Sequence, residues 1–216
     1  MKIVIRSFFV VLFAVVSSLA VFGQDEPLIE KELVAALKLV GSYSIYGGGY
    51  DEDKLTAAQA AFQEKLLKST NSVAMLKYKF TELDELMSIA TSADGKLRIY
   101  SWDMQDGGTM HRFARVYQYA AADGTIRSRA DKAEEEGMGH GFVSDIYTVS
   151  TNEGALYIVC STVIASGKNY MQSANLYRID DAVLNDAVKR FKTGSGLTNK
   201  ISFDYDNFSV IDREDR

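Results

Sequence analysis

From Met87 onward the chain is cut into short pieces by recurring turn signals. These are Asp94-Gly95, Asp106-Gly107-Gly108, Asp123-Gly124, Glu153-Gly154, Ser166-Gly167 and Gly194-Ser195-Gly196. Asp-Gly and related pairs supply the positive φ angles that a tight reversal needs. Between them lie Met87 to Thr91, Lys96 to Asp103, Met110 to Ala121, Val143 to Thr151, Ala155 to Ala165, Tyr170 to Asp180, Val183 to Lys192 and Lys200 to Tyr205. All are rich in β-branched and aromatic residues. Short strands joined by tight turns predict an antiparallel meander of about seven or eight strands, as a curled sheet or partial barrel. Leu156 to Ile164 is apolar at both parities, so it is expected to be a central strand covered by helices on one side, with Leu156, Ile158, Val159 and Cys160 buried. Asp131 to Gly141 reads as a polar loop or frayed turn.

Upstream the period is helical. Pro27 after Asp25 and Glu26 marks a helix start, since proline at the first helical position loses only an N–H that would be unpaired anyway. Ile29, Leu33, Ala36, Leu37 and Val40 then recur on one face, predicting a helix over about 27–40 closed by Gly41. A loop through Gly47-Gly48-Gly49 leads to a second helix starting at Asp51 or Asp53, with Leu55, Ala58, Phe62 and Leu66 inward. Thr81-Glu82-Leu83-Asp84 has the spacing of a capping box, predicting one helical turn before the first strand. The fold class is therefore α+β: two N-terminal helices on an antiparallel sheet.

Residues 1 to 23 have another character. Lys2 and Arg6 lead into the apolar run Ile3 to Val16, which Arg6 interrupts early, and small residues follow at Ser17, Ser18, Ala20 and Gly23. This is the pattern of a secretory signal peptide with cleavage after Ala20 or Gly23, so the mature protein is expected to be periplasmic or secreted. The run is shorter than the roughly 20 residues needed to span a bilayer, and no membrane span is expected after its removal. Residues 24 to 216 are read as one domain, mainly helical to residue 86 and mainly β beyond. One cysteine, Cys160, permits no internal disulfide, so an apolar core drawn from 47% hydrophobic residues must supply the stability. The formal charge of −5 becomes −7 without Lys2 and Arg6. Nucleic acid is thereby excluded as a partner, and so is adhesion to anionic lipid by charge alone.

Local catalytic signatures are missing. There is no Gly-x-Ser-x-Gly elbow, no Ser-x-x-Lys and no His-Glu-x-x-His, and Cys160 lies mid-strand as an inert thiol. Asp103 to Gly107 lacks the ligand spacing of a calcium loop, and Asp51, Glu52 and Asp53 would repel a phosphate from the helix that follows the glycines. Asp204 and Asp206 share one strand face, with Phe203 and Tyr205 on the other. No cofactor or metal is expected, although His111 and His140 could meet Asp103 or Glu136 at the sheet edge.

One ligand-binding constellation stands out. Trp102 and Asp103 end one strand, Gly107-Gly108 turn the chain, and His111 and Tyr117 follow on the next. An aromatic plane beside a carboxylate and an imidazole suits a small polar ligand such as a sugar. The expected function is a non-enzymatic binding or structural protein of the cell envelope, its partner an envelope protein or a glycan. The alternative is a hydrolase with scattered site residues.

The segment Ser92 to Asp103 with Gly107-Gly108-Thr109-Met110, together with Leu184-Asn185-Asp186, Phe191 to Gly194, Gly196 to Asn199 and Ile201 to Val210, resembles a family of uncharacterised exported proteins of Gram-negative bacteria. The resemblance spans most of Leu76 to Val210 and implies export but no activity. Members of that family continue with further strands past Phe208-Ser209-Val210, which implies here either a sheet without a terminal hairpin or a chain cut short.

Overall fold

The structure, a computed structural model, describes residues 26–46, 48–131 and 140–211. The leader, and residues 132–139 of the expected polar loop, lie outside the described residues. Two helices come first, α1 (Glu26–Ser42) and α2 (Glu52–Ser69). Asp51 caps α2, its side chain accepting a hydrogen bond from the Lys54 N–H, which satisfies a donor that has no partner within the helix. A third, α3 (Val73–Lys77), is capped by Ser72. Its single turn has no periodicity to detect, and it was not expected.

Antiparallel strands follow: β1 (Ser88–Thr91), β2 (Leu97–Asp103), β3 (Phe113–Ala120), β4 (Ile126–Ala130), β5 (Phe142–Thr151), β6 (Gly154–Ile164), β7 (Asn169–Asp180), β8 (Val183–Asn185), β9 (Phe191–Thr193), β10 (Gly196–Thr198) and β11 (Lys200–Asp206), with a short α4 (Asn207–Ile211) after them. The fold is α+β with two N-terminal helices, and its strands divide into sheets that do not close into a barrel. The first sheet runs β1-β2-β3-β4. The second runs β11-β7-β6-β5 with β8 extending it beside β7, and β9 and β10 form a separate hairpin. The sequence carries no strand signal for β4 or β10, since Arg127 and Arg129 break the apolar pattern of the one and Gly196 gives the other the composition of a turn.

Three layers result. Leu33, Val34, Leu37 and Val40 of α1 and Leu55, Phe62 and Leu66 of α2 pack on Tyr100, Trp102 and Val116 of the first sheet. The opposite face of that sheet, through Leu97, Ile99, Tyr117 and Tyr119, packs on Val143, Tyr157, Val159 and Tyr177 of the second. Side chains alternate across a strand, so β2 is buried on both faces, being the strand between helices and second sheet. This corrects the expectation for Leu156 to Ile164. That segment is β6 and is central in its sheet, but it is covered by the first sheet and not by helices. Val159 is fully buried and Leu156 nearly so, whereas Ile158 and Cys160 point to the outer face and are half-buried. Part of that outer face is covered by Val188 and Phe191, which meet Leu156, Leu176 and Ile158.

The segment 81–84 also departs from expectation. It makes a single turn, with the Leu86 and Met87 N–H groups donating to the Leu83 carbonyl, but no residue of its own caps it. The Thr81, Glu82 and Leu83 N–H groups all donate to Oε1 of Glu30 on α1, at 2.7, 2.8 and 3.1 Å, while the Tyr78 hydroxyl donates to Oε2 at 2.7 Å. Glu30 is 4% exposed. Burial pushes its carboxyl up, but the hydrogen bonds from Tyr78, Leu83, Thr81 and Glu82 outweigh that and hold it below its ordinary value of 4.5.

Candidate ligand-binding site

The loop between β2 and β3 is shaped by its backbone. Gln105 adopts φ 62°, a left-handed conformation unusual for a side chain with Cβ. It is held there because its N–H donates to Asp103 Oδ1 at 2.8 Å, its carbonyl accepts from the Ile45 N–H, and its Oε1 accepts from Ser44 Oγ. A Cβ on Gly107 would stand 2.0 Å from the Met110 carbonyl oxygen, so the chain closes here only around glycine. Gln59 of α2 donates to the Met104 carbonyl, and Arg112 grips Asp106 through Nε at 3.0 Å and through a second nitrogen. The loop is thus tied to the α1–α2 connection.

Asp103 Oδ2 lies 2.5 Å from His111 Nδ1. The His111 N–H donates to the Ile164 carbonyl, anchoring the residue to the end of β6. Its ring stacks on Tyr46 at 5.5 Å between centroids and 21° between planes, with Phe113 at 6.4 Å on a similar tilt. Tyr46 is 50% exposed, and its hydroxyl donates to the Gly108 carbonyl at 2.6 Å. Burial, and then the negative charge of Asp103 and Asp106, raise its pKa above the ordinary value. An open aromatic ring, a carboxylate and an imidazole therefore share one rim of the molecule.

The four residues expected from sequence divide. Asp103 and His111 are brought together. Trp102 and Tyr117 are not part of the same surface, because Trp102 is 1% exposed and set edge-on against Phe62 of α2 at 5.0 Å. Tyr117 faces the opposite way, between the sheets, 3.4 Å from the Tyr177 hydroxyl and under the Arg129 guanidinium. The parity of β2 puts Trp102 on the helix side of the sheet, and neither ring is open to a ligand. Tyr46 occupies the aromatic position instead. Its sequence setting, beside a run of glycines and 65 residues before His111, carries no signal linking the two.

His140 pairs with a different carboxylate, its Nε2 standing 3.3 Å from Asp131 Oδ2. Glu136 lies outside the described residues, and among the described residues no group of three His, Cys, Asp or Glu is placed to hold a metal. Burial and the neighbouring Asp145 charge push the Cys160 thiol up, keeping it protonated near neutrality. A shallow cavity of about 390 Å³ lies at the opposite end of the second sheet, lined by Thr151, Asn152, Glu153, Leu156, Arg178 and Arg190. Its two guanidinium groups both meet Glu153 Oε2, and Arg178 also meets Asp180, so their charge is already answered. Among the described residues no helix is long and apolar enough to cross a membrane. Compared with protein-family models, curated proteins and solved structures, the chain matches none.

Proposed function

We propose that the protein is an exported, non-enzymatic binding protein of the cell envelope, and that Tyr46, Asp103 and His111 form its contact with a small polar ligand of saccharide type. The observation that carries this reading is the half-open Tyr46 ring stacked beside the Asp103–His111 pair. An amphipathic ring offers a stacking face to the C–H side of a sugar, while carboxylate and imidazole direct its hydroxyls. Export rests on the Lys2/Arg6-to-Gly23 leader and on the resemblance to exported proteins. Isothermal titration of the mature chain with envelope saccharides, namely peptidoglycan fragments and lipopolysaccharide core oligosaccharides, tests the reading. Binding should weaken at least tenfold in Tyr46→Ala and His111→Ala with melting temperature retained. Unchanged affinity in both variants, or no binding to any saccharide, would overturn it. Trp102 emission is a poor reporter for this purpose, since the chain's one tryptophan is in the core.

A second reading is favoured by one contact. Asp103 on Nδ1 of His111 leaves Nε2 as the basic position, the arrangement by which an oriented imidazole could activate water in a hydrolase. Turnover of chromogenic ester or glycoside substrates, abolished by His111→Ala, would favour it over simple binding.

A further inference from the structure

The free edge of the second sheet is built to pair with itself. We infer that β11 joins the β11 strand of a second copy of this chain, antiparallel about a two-fold axis at Phe203, making one continuous sheet across the dimer.

Edge strands expose unpaired backbone groups, and natural proteins blunt them with bulges, charges, prolines or very short strands. The other edges here show such devices or are engaged. Strand β1 has four residues, and β4 carries Arg127 and Arg129. Strand β5 has a register shift between Val143 and Asp145, and its Val143 N–H and carbonyl are taken by the Ser101 and Ser88 hydroxyls. Strand β11 has no bulge and no proline, and its charges, Lys200, Asp204 and Asp206, are of both signs. Its seven residues pair with β7 in unbroken register, from Lys200 opposite Asn175 to Asp206 opposite Asn169. Most of the strand is exposed, and among the described residues nothing pairs with its far edge.

Backbone direction fixes which groups are free. The Asn199 carbonyl accepts from Leu176, and the Asn207 N–H donates to Lys168. In an antiparallel ladder both groups of a residue point the same way and alternate along the strand. Odd-numbered residues therefore face β7, and Lys200, Ser202, Asp204 and Asp206 present their N–H and C=O groups outward. The Thr198 hydroxyl meets both groups of Lys200, at 3.3 and 3.1 Å, and the Ser209 hydroxyl donates to the Asp206 carbonyl, so among the described residues it is the groups of Ser202 and Asp204 that have no partner. The free stretch is bracketed at both ends. Thr198 points its carbonyl to the Arg190 N–H beside β9, and α4 begins at Asn207. A second copy that pairs Ser202 with Asp204 in both directions takes one register, centred on Phe203.

That register is self-complementary. Lys200 falls opposite Asp206 of the second copy, which Lys168 meets at 3.2 Å within its own chain, and Ser202 falls opposite Asp204, so each charge meets an opposite charge or a hydroxyl donor. Ser202 with Asp204 is the hydrogen-bonded pair whose backbone groups are free. The apolar residues take the other positions, where facing side chains come closest: Phe203 meets its own twin, and Ile201 meets Tyr205. Phe203 is 59% and Ile201 45% exposed in the single chain, and Phe203, Tyr205 and Tyr170 already form a ring cluster that the seam would prolong. Such an interface is isologous, with the same patch on both subunits, and closes at two.

Sedimentation velocity of the mature chain tests this. A seam of one strand pair is at the small end of specific interfaces, so the dimer is expected at protein concentrations of about 10 to 100 μM. Ser202→Pro removes only an outward N–H and should shift the chain to monomer with its circular dichroism intact. Lys200→Glu should raise the dissociation constant at least tenfold, and the charge swap Lys200→Glu with Asp206→Lys should bring it back to within about threefold. A chain that stays monomeric above 200 μM would overturn the inference. So would a dimer indifferent to Ser202→Pro and to Lys200→Glu, which would mean that the copies meet elsewhere. The Tyr46 site and the β11 edge share no residue, so saccharide binding and dimerisation are read out separately.

Discussion

Replacing Glu30 should reveal how much stability one buried carboxylate contributes by capping a segment about fifty residues away. In Glu30→Ala the Thr81, Glu82 and Leu83 N–H groups and the Tyr78 hydroxyl lose their acceptor. Each hydrogen bond to a charged group is worth about 1.5–3 kcal/mol, and each donor left buried without a partner costs a similar amount. Three of the four share one oxygen, and the variant is also relieved of burying a charge, so the sum must be discounted. A net loss of about 3 kcal/mol is expected, or roughly 6–12 °C in melting temperature for a domain of this size. Glu30→Gln keeps an acceptor oxygen without the charge and should cost about 1.5 kcal/mol. The pH dependence separates the two causes. Because the folded protein holds the Glu30 carboxyl below 4.5, its stabilisation is complete above about pH 4.5 and is lost as pH falls through the lower folded value. The difference between wild type and Glu30→Gln, measured by urea denaturation followed by circular dichroism, should therefore be largest near neutrality and shrink below pH 4.5. An Ala variant within 0.5 kcal/mol of wild type, or a Gln difference constant from pH 7 to 3.5, would refute the capping role.

The layer assignment predicts that Val159→Asp, which buries an unpaired charge between the sheets, removes several kcal/mol, whereas Ile158→Asp on the outer face costs about 1 kcal/mol; equal losses in chemical denaturation would contradict it. Gly107→Ala must move the Met110 carbonyl, so about 1–3 kcal/mol of strain should appear in denaturation, along with loss of saccharide binding as the Tyr46 support at Gly108 shifts. Tyr157→Phe removes the hydroxyl that reaches Asp94 at 2.9 Å and ties the two sheets together; about 1 kcal/mol is expected, and no change in urea midpoint would show the tie to be solvated away. Mass spectrometry of the exported protein should find an N-terminus at residue 21 or 24, and an intact Met1 would end the export reading.

By itself the sequence determined what depends on near neighbours. Apolar spacing from Ile29 to Val40 and from Leu55 to Leu66 defined α1 and α2, Asp51 or Asp53 marked the start of the second, and the Asp-Gly pairs placed the reversals between strands. Those properties follow from backbone sterics and helical or strand period, which a few residues carry. Which face of a strand is covered, and by what, is decided elsewhere in the chain. Leu156 to Ile164 shows apolar residues at both parities, yet only the packing of the first sheet on one side makes Val159 core and leaves Ile158 near the surface. The same applies to Trp102 and Asp103. They are adjacent in sequence, and strand alternation sends the first under α2 and the second to the rim, where the strained turn at Gln105 brings back His111 and the α1–α2 loop delivers Tyr46. Thr81 to Asp84 carries the spacing of a cap, but the acceptor that serves its N–H groups comes from Glu30. A carboxylate in a folded chain satisfies whichever donors the tertiary structure sets beside it, and sequence distance has no part in that choice.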